Sequence, residues 1–200
     1  MKERIVLETS RLPLHAVGMA SPTWWGTCAF MLIEGSGFAL AIAVYFYLMS
    51  LAAHWPIEAP PPELWAGTWL TVILVMSVLP NLMVSRFAKA RQLRRVQIGL
   101  LVMIVFGTVP LIFRAFEFMS LHISWDKNAY GSIVWVLLGL HTTHILTDLV
   151  DTIVLTCLMF SRHGDNTRRY GDVQDNALYW NFVVLTWLPI YGCIYWVPRL

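Results

Sequence analysis

Five stretches of the chain, at 24–50, 65–85, 96–119, 130–160 and 178–197, are predominantly apolar. Each reaches the length of about 20 residues that a helix needs to cross the hydrocarbon core of a bilayer. The polar positions between them set the orientation. The connection at 54–63 holds Pro56, Pro60, Pro61 and Pro62 and neither Lys nor Arg, whereas the next carries Arg86, Lys89, Arg91, Arg94 and Arg95. Cytoplasmic loops concentrate Lys and Arg, so the basic side is inside, and the connection at 162–175, with Arg162, Arg168 and Arg169, joins it there. The pattern predicts an all-α integral membrane bundle of about five transmembrane helices, N-terminus inside and C-terminus outside. Residues 1–23 form a cytoplasmic N-terminal segment and 24–200 the membrane domain. Trp24, Trp25, Trp65, Trp125, Tyr130, Tyr179, Trp180 and Trp196 cluster near span ends and read mostly as headgroup-level anchors. The fourth span is long enough to tilt or to project from the bilayer, which brings Asp151 toward the cytoplasmic interface.

Composition agrees with the pattern. Hydrophobic residues make up 58% and charged residues 13%, about half the charged share of a soluble domain, and the mean hydropathy is +0.61. The net charge of +2 is unremarkable, and no basic tract suggests nucleic acid. The apolar segment after Ser21-Pro22 is too long for a signal peptide's core, and nothing before it looks cleavable. Cys28, Cys157 and Cys193 lie in apolar segments without a CxxC or CxxCH pairing, so they predict small buried residues rather than disulfides or covalent haem attachment. No internal repeat is visible, and an odd number of spans argues against a simple inverted-repeat transporter.

Ionisable residues inside the spans are the candidate chemistry. His141, His144, Asp148 and Asp151 share the fourth span; at about 100° per residue they fall within an arc of about 80°, one helix face. Such groups cost free energy in hydrocarbon and face protein, water or a partner, as a functional site or as a polar stripe joining helices. Glu34 lies ten residues beyond Trp24 in the first span, about 15 Å at helical rise. It is either neutral or held by a donor on another helix. Gly35, Gly37, Ala39, Ala41 and Ala43 follow it and permit close backbone approach. Arg114 and Glu117, three apart near the outer end of the third span, can meet on one face and are expected to snorkel toward water. The segment from Trp125-Asp126 to Tyr130-Gly131-Ser132 reads as a short outer turn that restarts a helix.

Several ordered motifs together resemble subunit III of haem-copper terminal oxidases, the cytochrome c oxidase subunit III family, with its relatives in quinol oxidases. Trp24-Trp25-Gly26-Thr27 and Ala29-Phe30-Met31-Leu32-Ile33-Glu34 resemble its apolar segment with an embedded glutamate. Ala115-Phe116-Glu117-Phe118 is similar to its Ala-x-Glu-aromatic stretch. Asp126, Tyr130-Gly131-Ser132 and Gly139-Leu140-His141-Thr142-Thr143-His144 resemble its Asp-x-x-Tyr-Gly-Ser and Gly-x-His-x-x-His pattern. Ala177-Leu178-Tyr179-Trp180-Asn181-Phe182-Val183, with Trp187, Tyr191 and Tyr195-Trp196, is similar to its last helix.

The resemblance implies a subunit without its own cofactors, beside catalytic subunit I and subunit II, which hold haem and copper. That complex passes electrons from cytochrome c or quinol to oxygen and moves protons across the membrane, here a bacterial cell membrane. Subunit III of this kind binds phospholipid and supports proton uptake and durability of the catalytic centre. Glu34, Arg114, Glu117, His141, His144 and Asp148 are the residues the resemblance assigns to lipid binding or proton-uptake support, and Arg86, Arg91, Arg94 and Arg95 are candidates for lipid headgroups. The five-span count resembles members that lack the first two of seven helices; quinol oxidase and nitric-oxide-reductase-associated relatives also have short forms. Arg114 stands where the family commonly has Gln, Asp148 where Gly is usual, and Asn181 and Val184 where His and Asp are frequent. Asp148 is therefore expected to replace, across the interface of the fourth and fifth helices, the carboxylate missing at Val184.

The residues themselves also limit catalysis. A haem-copper centre needs several histidines on separate helices, yet just two of the chain's six lie deep in a span. The competing reading is a membrane di-metal enzyme in which Glu34, Glu117, His141, His144 and Asp148 converge. The Glu-x-x-His motif of helical di-iron bundles is missing from the sequence.

Overall fold

The computed structural model describes residues 21–162 and 164–200. It is all-helical over those residues: α1 (Pro22–Leu51), α2 (Leu64–Lys89), α3 (Leu93–Met119), α4 (Ala129–Met159) and α5 (Thr167–Tyr191). A π-helical turn (Gly192–Trp196) and a 3-10 turn (Val197–Arg199) extend α5. Five helices are long and apolar enough to cross a membrane, the last continuing from Thr167 to Arg199, and the chain is a multi-pass membrane protein. Most of the expected N-terminal segment, residues 1–20, lies outside the described residues.

Helix ends follow local chemistry. Ser21 caps α1 by accepting from the Thr23 N–H at 3.2 Å, with Pro22 in the first turn where its missing N–H costs nothing. Asn128 caps α4 through Gly131 N at 2.9 Å, as the outer turn predicted. Between α2 and α3 the chain reverses within Ala90, Arg91 and Gln92; Arg91 takes φ 51°, the left-handed conformation that closes a helix C-terminus. The sequence reading of 162–175 as a connection is corrected: α5 begins at Thr167, capped by Asn166 through Arg168 N at 3.1 Å. Its first turns are polar because they end the helix rather than join two.

The polar connections gather at two ends of the bundle. At one, the Tyr170 hydroxyl donates to the Arg91 carbonyl at 3.4 Å and Gln97 Nε2 to the Met159 carbonyl at 2.8 Å, so the basic α2–α3 turn adjoins the α4–α5 turn. At the other, Asn128 Nδ2 donates to the Ile57 carbonyl at 2.8 Å, and Arg199 Nη2 to the Pro62 carbonyl at 2.5 Å. Arg86, Arg91, Arg94 and Arg95 are exposed at the basic end.

α4 and α5 are the most enclosed helices, while α1 lies at the edge and buries just Phe38 and Tyr45 within its length. The α2–α5 seam is fastened by buried polar pairs. Trp187 Nε1 donates to Thr71 Oγ1 at 2.7 Å and Trp180 Nε1 to Ser77 Oγ at 2.8 Å; Asn81 Nδ2 reaches the Ala177 carbonyl at 2.8 Å and Asn181 Oδ1 at 3.0 Å. In a bilayer, hydrogen bonds and close packing hold helices together because lipid is as apolar as their side chains. Gly99 shows the close approach between α2 and α3: a Cβ there would collide with Val84 Cγ2. Two sequence expectations fail, one because neighbouring helices enclose the residues and the other because they leave one uncovered. Trp180 and Tyr130 are core residues, not anchors. Of the cysteines, Cys193 alone is buried; Cys157 is exposed and Cys28 intermediate.

Candidate functional site

The stripe on α4 splits between two environments. His141 points between α3 and α5, where Arg114 and the Val183 carbonyl meet it, and Arg114 in turn pairs with Glu117. Arg114 Nη1 donates to Glu117 Oε2 at 2.5 Å, and Nη2 lies 2.8 Å from His141 Nδ1. The guanidinium sits 4.4 Å from the centre of the Trp187 ring, a cation–π contact. Glu117 Oε1 accepts from the Tyr195 hydroxyl. Arg114 is 1% exposed and Glu117 and His141 are 0% exposed, so the expected snorkelling pair is in fact enclosed. α4, α5 and the π turn cover the end of α3 that hydropathy alone would leave facing water. Mutual neutralisation makes that burial tolerable.

Proton positions in this cluster follow from its donors. Arginine has no acceptor, so it donates to His141 Nδ1, and the ring proton is on Nε2, which donates to the Val183 carbonyl at 3.0 Å. Both imidazole nitrogens are occupied. Gly67 on α2 makes room for the arrangement, because the Tyr195 ring occupies the place a Cβ would take. The π turn after Pro189 carries Tyr195 toward α2 and Glu117.

His144, one turn along α4, opens instead onto a cleft of about 560 Å³ between α1, α4 and α5. Its Nε2 lies 3.0 Å from Glu34 Oε1, with the side chains 13% and 15% exposed respectively. Tyr179 on α5 donates to Glu34 Oε2 at 2.8 Å and stacks on Phe30 with ring centres 5.9 Å apart. Toward the basic end the cleft wall continues with Thr147, Asp148, Asp151, Asn176, Asp172 and Asp175. Phe30, Val154, Leu155 and Leu158 supply an apolar side.

Asp148 does face α5, but not at the expected place. Asn176 Nδ2 donates to Asp148 Oδ1 at 3.4 Å and to Asp151 Oδ2 at 3.1 Å. Val184 lies eight residues farther along, about 12 Å at helical rise. His141 meets Val183 in the antiparallel register. The expectation that Asp148 fills the place of a carboxylate at Val184 is therefore corrected. Nor do Glu34, Glu117, His141, His144 and Asp148 converge: Glu117 and His141 belong to the enclosed cluster and the others to the cleft. Among the described residues no three His, Cys, Asp or Glu side chains are arranged to hold one ion. Sequence reasoning missed Tyr179, Asn176 and Tyr195 as site residues. Asp172, Asp175, Asn176 and Tyr179 recur at helical spacing on α5, and that polar stripe was the available signal.

A family model described as cytochrome c oxidase subunit III matches residues 5–198. Cytochrome c oxidase subunit 3 of Rhizopus stolonifer is 30% identical over 154 residues, covering 74% of this chain and 53% of that protein. The Drosophila yakuba protein of the same description is 26% identical over 200 residues, 92% of this chain and 72% of its own. That of Thermostichus vulcanus is 23% identical over 176 residues, 87% of each. The alignment thus spans about half the length of the Rhizopus relative.

Proposed function

This chain belongs to the cytochrome c oxidase subunit III family, and from that premise we propose that it is the non-catalytic subunit III of a haem-copper terminal oxidase. It sits beside subunits I and II in a bacterial cell membrane, N-terminus on the cytoplasmic side, while those partners hold haem and copper and pass electrons to oxygen. The family match along nearly the whole chain carries this reading. The orientation rests on the basic α2–α3 turn and on Arg162, Arg168 and Arg169 near the start of α5.

Two parts of the molecule support a helper's role. The enclosed Arg114–Glu117–His141 cluster binds α3, α4 and the π turn into one unit and thereby gives a partner a firm face to pack on. The open cleft suits a phospholipid, its apolar side taking an acyl chain, with Arg86, Arg91, Arg94 and Arg95 holding anionic headgroups at the same end of the bundle. Glu34, His144 and Asp148 lie on the polar wall, where they support proton uptake by the neighbouring subunit.

Purification in mild detergent tests the assembly. The chain should co-purify in constant ratio with haem-bearing polypeptides and show their visible absorption. Recovery as a separate, colourless, monodisperse protein under conditions that keep the membrane's haem oxidases intact would refute the proposal.

A further inference from the structure

Removing one electron from a phenol makes its hydroxyl a strong acid, so a tyrosine holds an oxidising equivalent where a base stands ready for its proton. Among the described residues three tyrosines donate to a carboxylate: Tyr170 to Asp165 at 2.7 Å, Tyr179 to Glu34 at 2.8 Å, and Tyr195 to Glu117. Tyr170 lies at the basic end and Tyr179 beside the open cleft. Tyr195 and Glu117 are both 0% exposed. Glu117 receives a donor on each oxygen, Tyr195 on Oε1 and Arg114 on Oε2, and so meets the phenol as a carboxylate.

Aromatic rings lead from this pair toward the outside. The Tyr195 ring centre lies 5.2 Å from that of Tyr191, and Tyr191 lies 6.1 Å from Trp187, close enough for an electron to pass between them. Tyr191 is half-buried, and its hydroxyl meets that of the exposed Thr68 on α2 at 2.8 Å, so it forms the outer end of the row. Tyr179 instead has Phe30 and Phe182 beside it, each 5.9 Å away, and phenylalanine is far harder to oxidise. Trp187 is a poor resting place for the equivalent. Its indole N–H donates to the Thr71 hydroxyl, a weak base, and the Arg114 guanidinium 4.4 Å from its ring opposes a positive charge there. Tyr195 is where the charge can be shed as a proton.

We infer that Tyr195, with Glu117 as its base and Tyr191 as its relay, is a radical-holding site that takes oxidising equivalents from lipid peroxyl radicals in the membrane. The peroxyl radical gains an electron from Tyr191 and a proton from water and leaves as a hydroperoxide. Tyr191 regains that electron from Tyr195, whose hydroxyl proton moves to Glu117 Oε1. The products are a neutral phenoxyl radical on Tyr195 and a neutral Glu117, with the Arg114 charge left uncompensated. That enclosed charge favours the return step. One electron from an enediol reductant such as ascorbate, passed through Tyr191, reduces the phenoxyl oxygen, Glu117 gives its proton back, and both groups recover. Enclosure meanwhile keeps the radical from abstracting hydrogen from lipid or coupling with a second radical.

The test places the full chain in nanodiscs of saturated phospholipid and generates peroxyl radicals in air with a lipophilic azo initiator. Electron paramagnetic resonance of samples frozen during exposure should show a phenoxyl radical whose hyperfine structure collapses when the protein carries ring-deuterated tyrosine, and ascorbate should erase it. Tyr195→Phe keeps the ring against Gly67 and loses just the hydroxyl, and it should remove most of the signal. Tyr191→Phe leaves the Tyr195–Glu117 pair intact and should slow the growth of the signal, which separates loss of the relay from misfolding. Tyr47→Phe should change nothing, although Tyr47 is 62% exposed and far easier for a lipid radical to reach. High-field spectra should carry the g-shift of a phenoxyl oxygen that accepts a hydrogen bond, here from Glu117, a mark that a merely structural pairing would not leave. A wild type without a phenoxyl signal, a signal undiminished in Tyr195→Phe, growth at the wild-type rate in Tyr191→Phe, or loss of the signal in Tyr47→Phe would each overturn the assignment. None of these readouts needs a partner, so the inference stands or falls apart from the subunit reading.

Discussion

His141 and His144 stand one turn apart on α4, the first bonded to Arg114 and the Val183 carbonyl and the second beside Glu34, and they occupy opposite kinds of site. Around His141 every acceptor has a donor: Arg114 serves Nδ1, Nε2–H serves the Val183 carbonyl, and Tyr195 and Arg114 serve Glu117. That cluster is fully enclosed by α3, α4, α5 and the π turn. Around His144 the arrangement is open: Nε2 lies 3.0 Å from Glu34 Oε1, Tyr179 serves the other Glu34 oxygen, and the pair borders the cleft. A densely bonded, enclosed network fixes geometry even with Arg114 Nε–H left unpaired, whereas a pair at the edge of a cleft is held less firmly. The same residue types therefore form an enclosed lock in one place and line an open cleft in the other.

The strongest way to break this contrast is to unbalance the lock. Glu117→Gln leaves the Arg114 charge enclosed without its counter-ion and should destabilise the chain by about 3–5 kcal/mol. Thermal unfolding of the purified protein in mild detergent measures this, and adding Arg114→Gln should recover much of the loss because no charge then remains buried. A smaller effect is expected from Gly67→Ala, which drives the Tyr195 ring away from Glu117; overpacking of this kind costs about 1–3 kcal/mol. Glu34→Ala should cost less than Glu117→Gln, about 1–2 kcal/mol, since no full charge is left enclosed and the Tyr179 hydroxyl and His144 that lose their partner border the cleft. Equal losses for Glu34→Ala and Glu117→Gln in the same unfolding assay would erase the distinction. At the exposed basic end, Arg94→Gln should weaken attraction to anionic phospholipid by about 1 kcal/mol, measured as vesicle or nanodisc lipid enrichment that diminishes with salt.

Much of the fold was legible because 20-residue apolar runs leave little freedom: the first four predicted spans match α1 to α4 within a few residues. α5 was foreshortened because Arg168, Arg169, Asp172 and Asp175 hide a helix start from hydropathy. The Arg114–Glu117 pairing was readable from its three-residue spacing, but its burial was not, since Tyr195 and Trp187 reach it from a helix some seventy residues away. Likewise the α4 stripe was visible, while its division into a lock and a cleft depends on which neighbour covers each turn. Asp148 was rightly aimed at α5 and wrongly matched to Val184, because helix register is set by contacts such as His141 with Val183 that no single-helix periodicity contains.

The most direct measurement follows oxygen uptake through repeated turnovers by an assembled oxidase carrying Glu34→Ala in this subunit. Haem reduction should proceed at the wild-type rate at first, with activity then decaying sooner or proton delivery slowing. Immediate and complete loss of haem reduction in a fully assembled complex would contradict a supporting role for this chain.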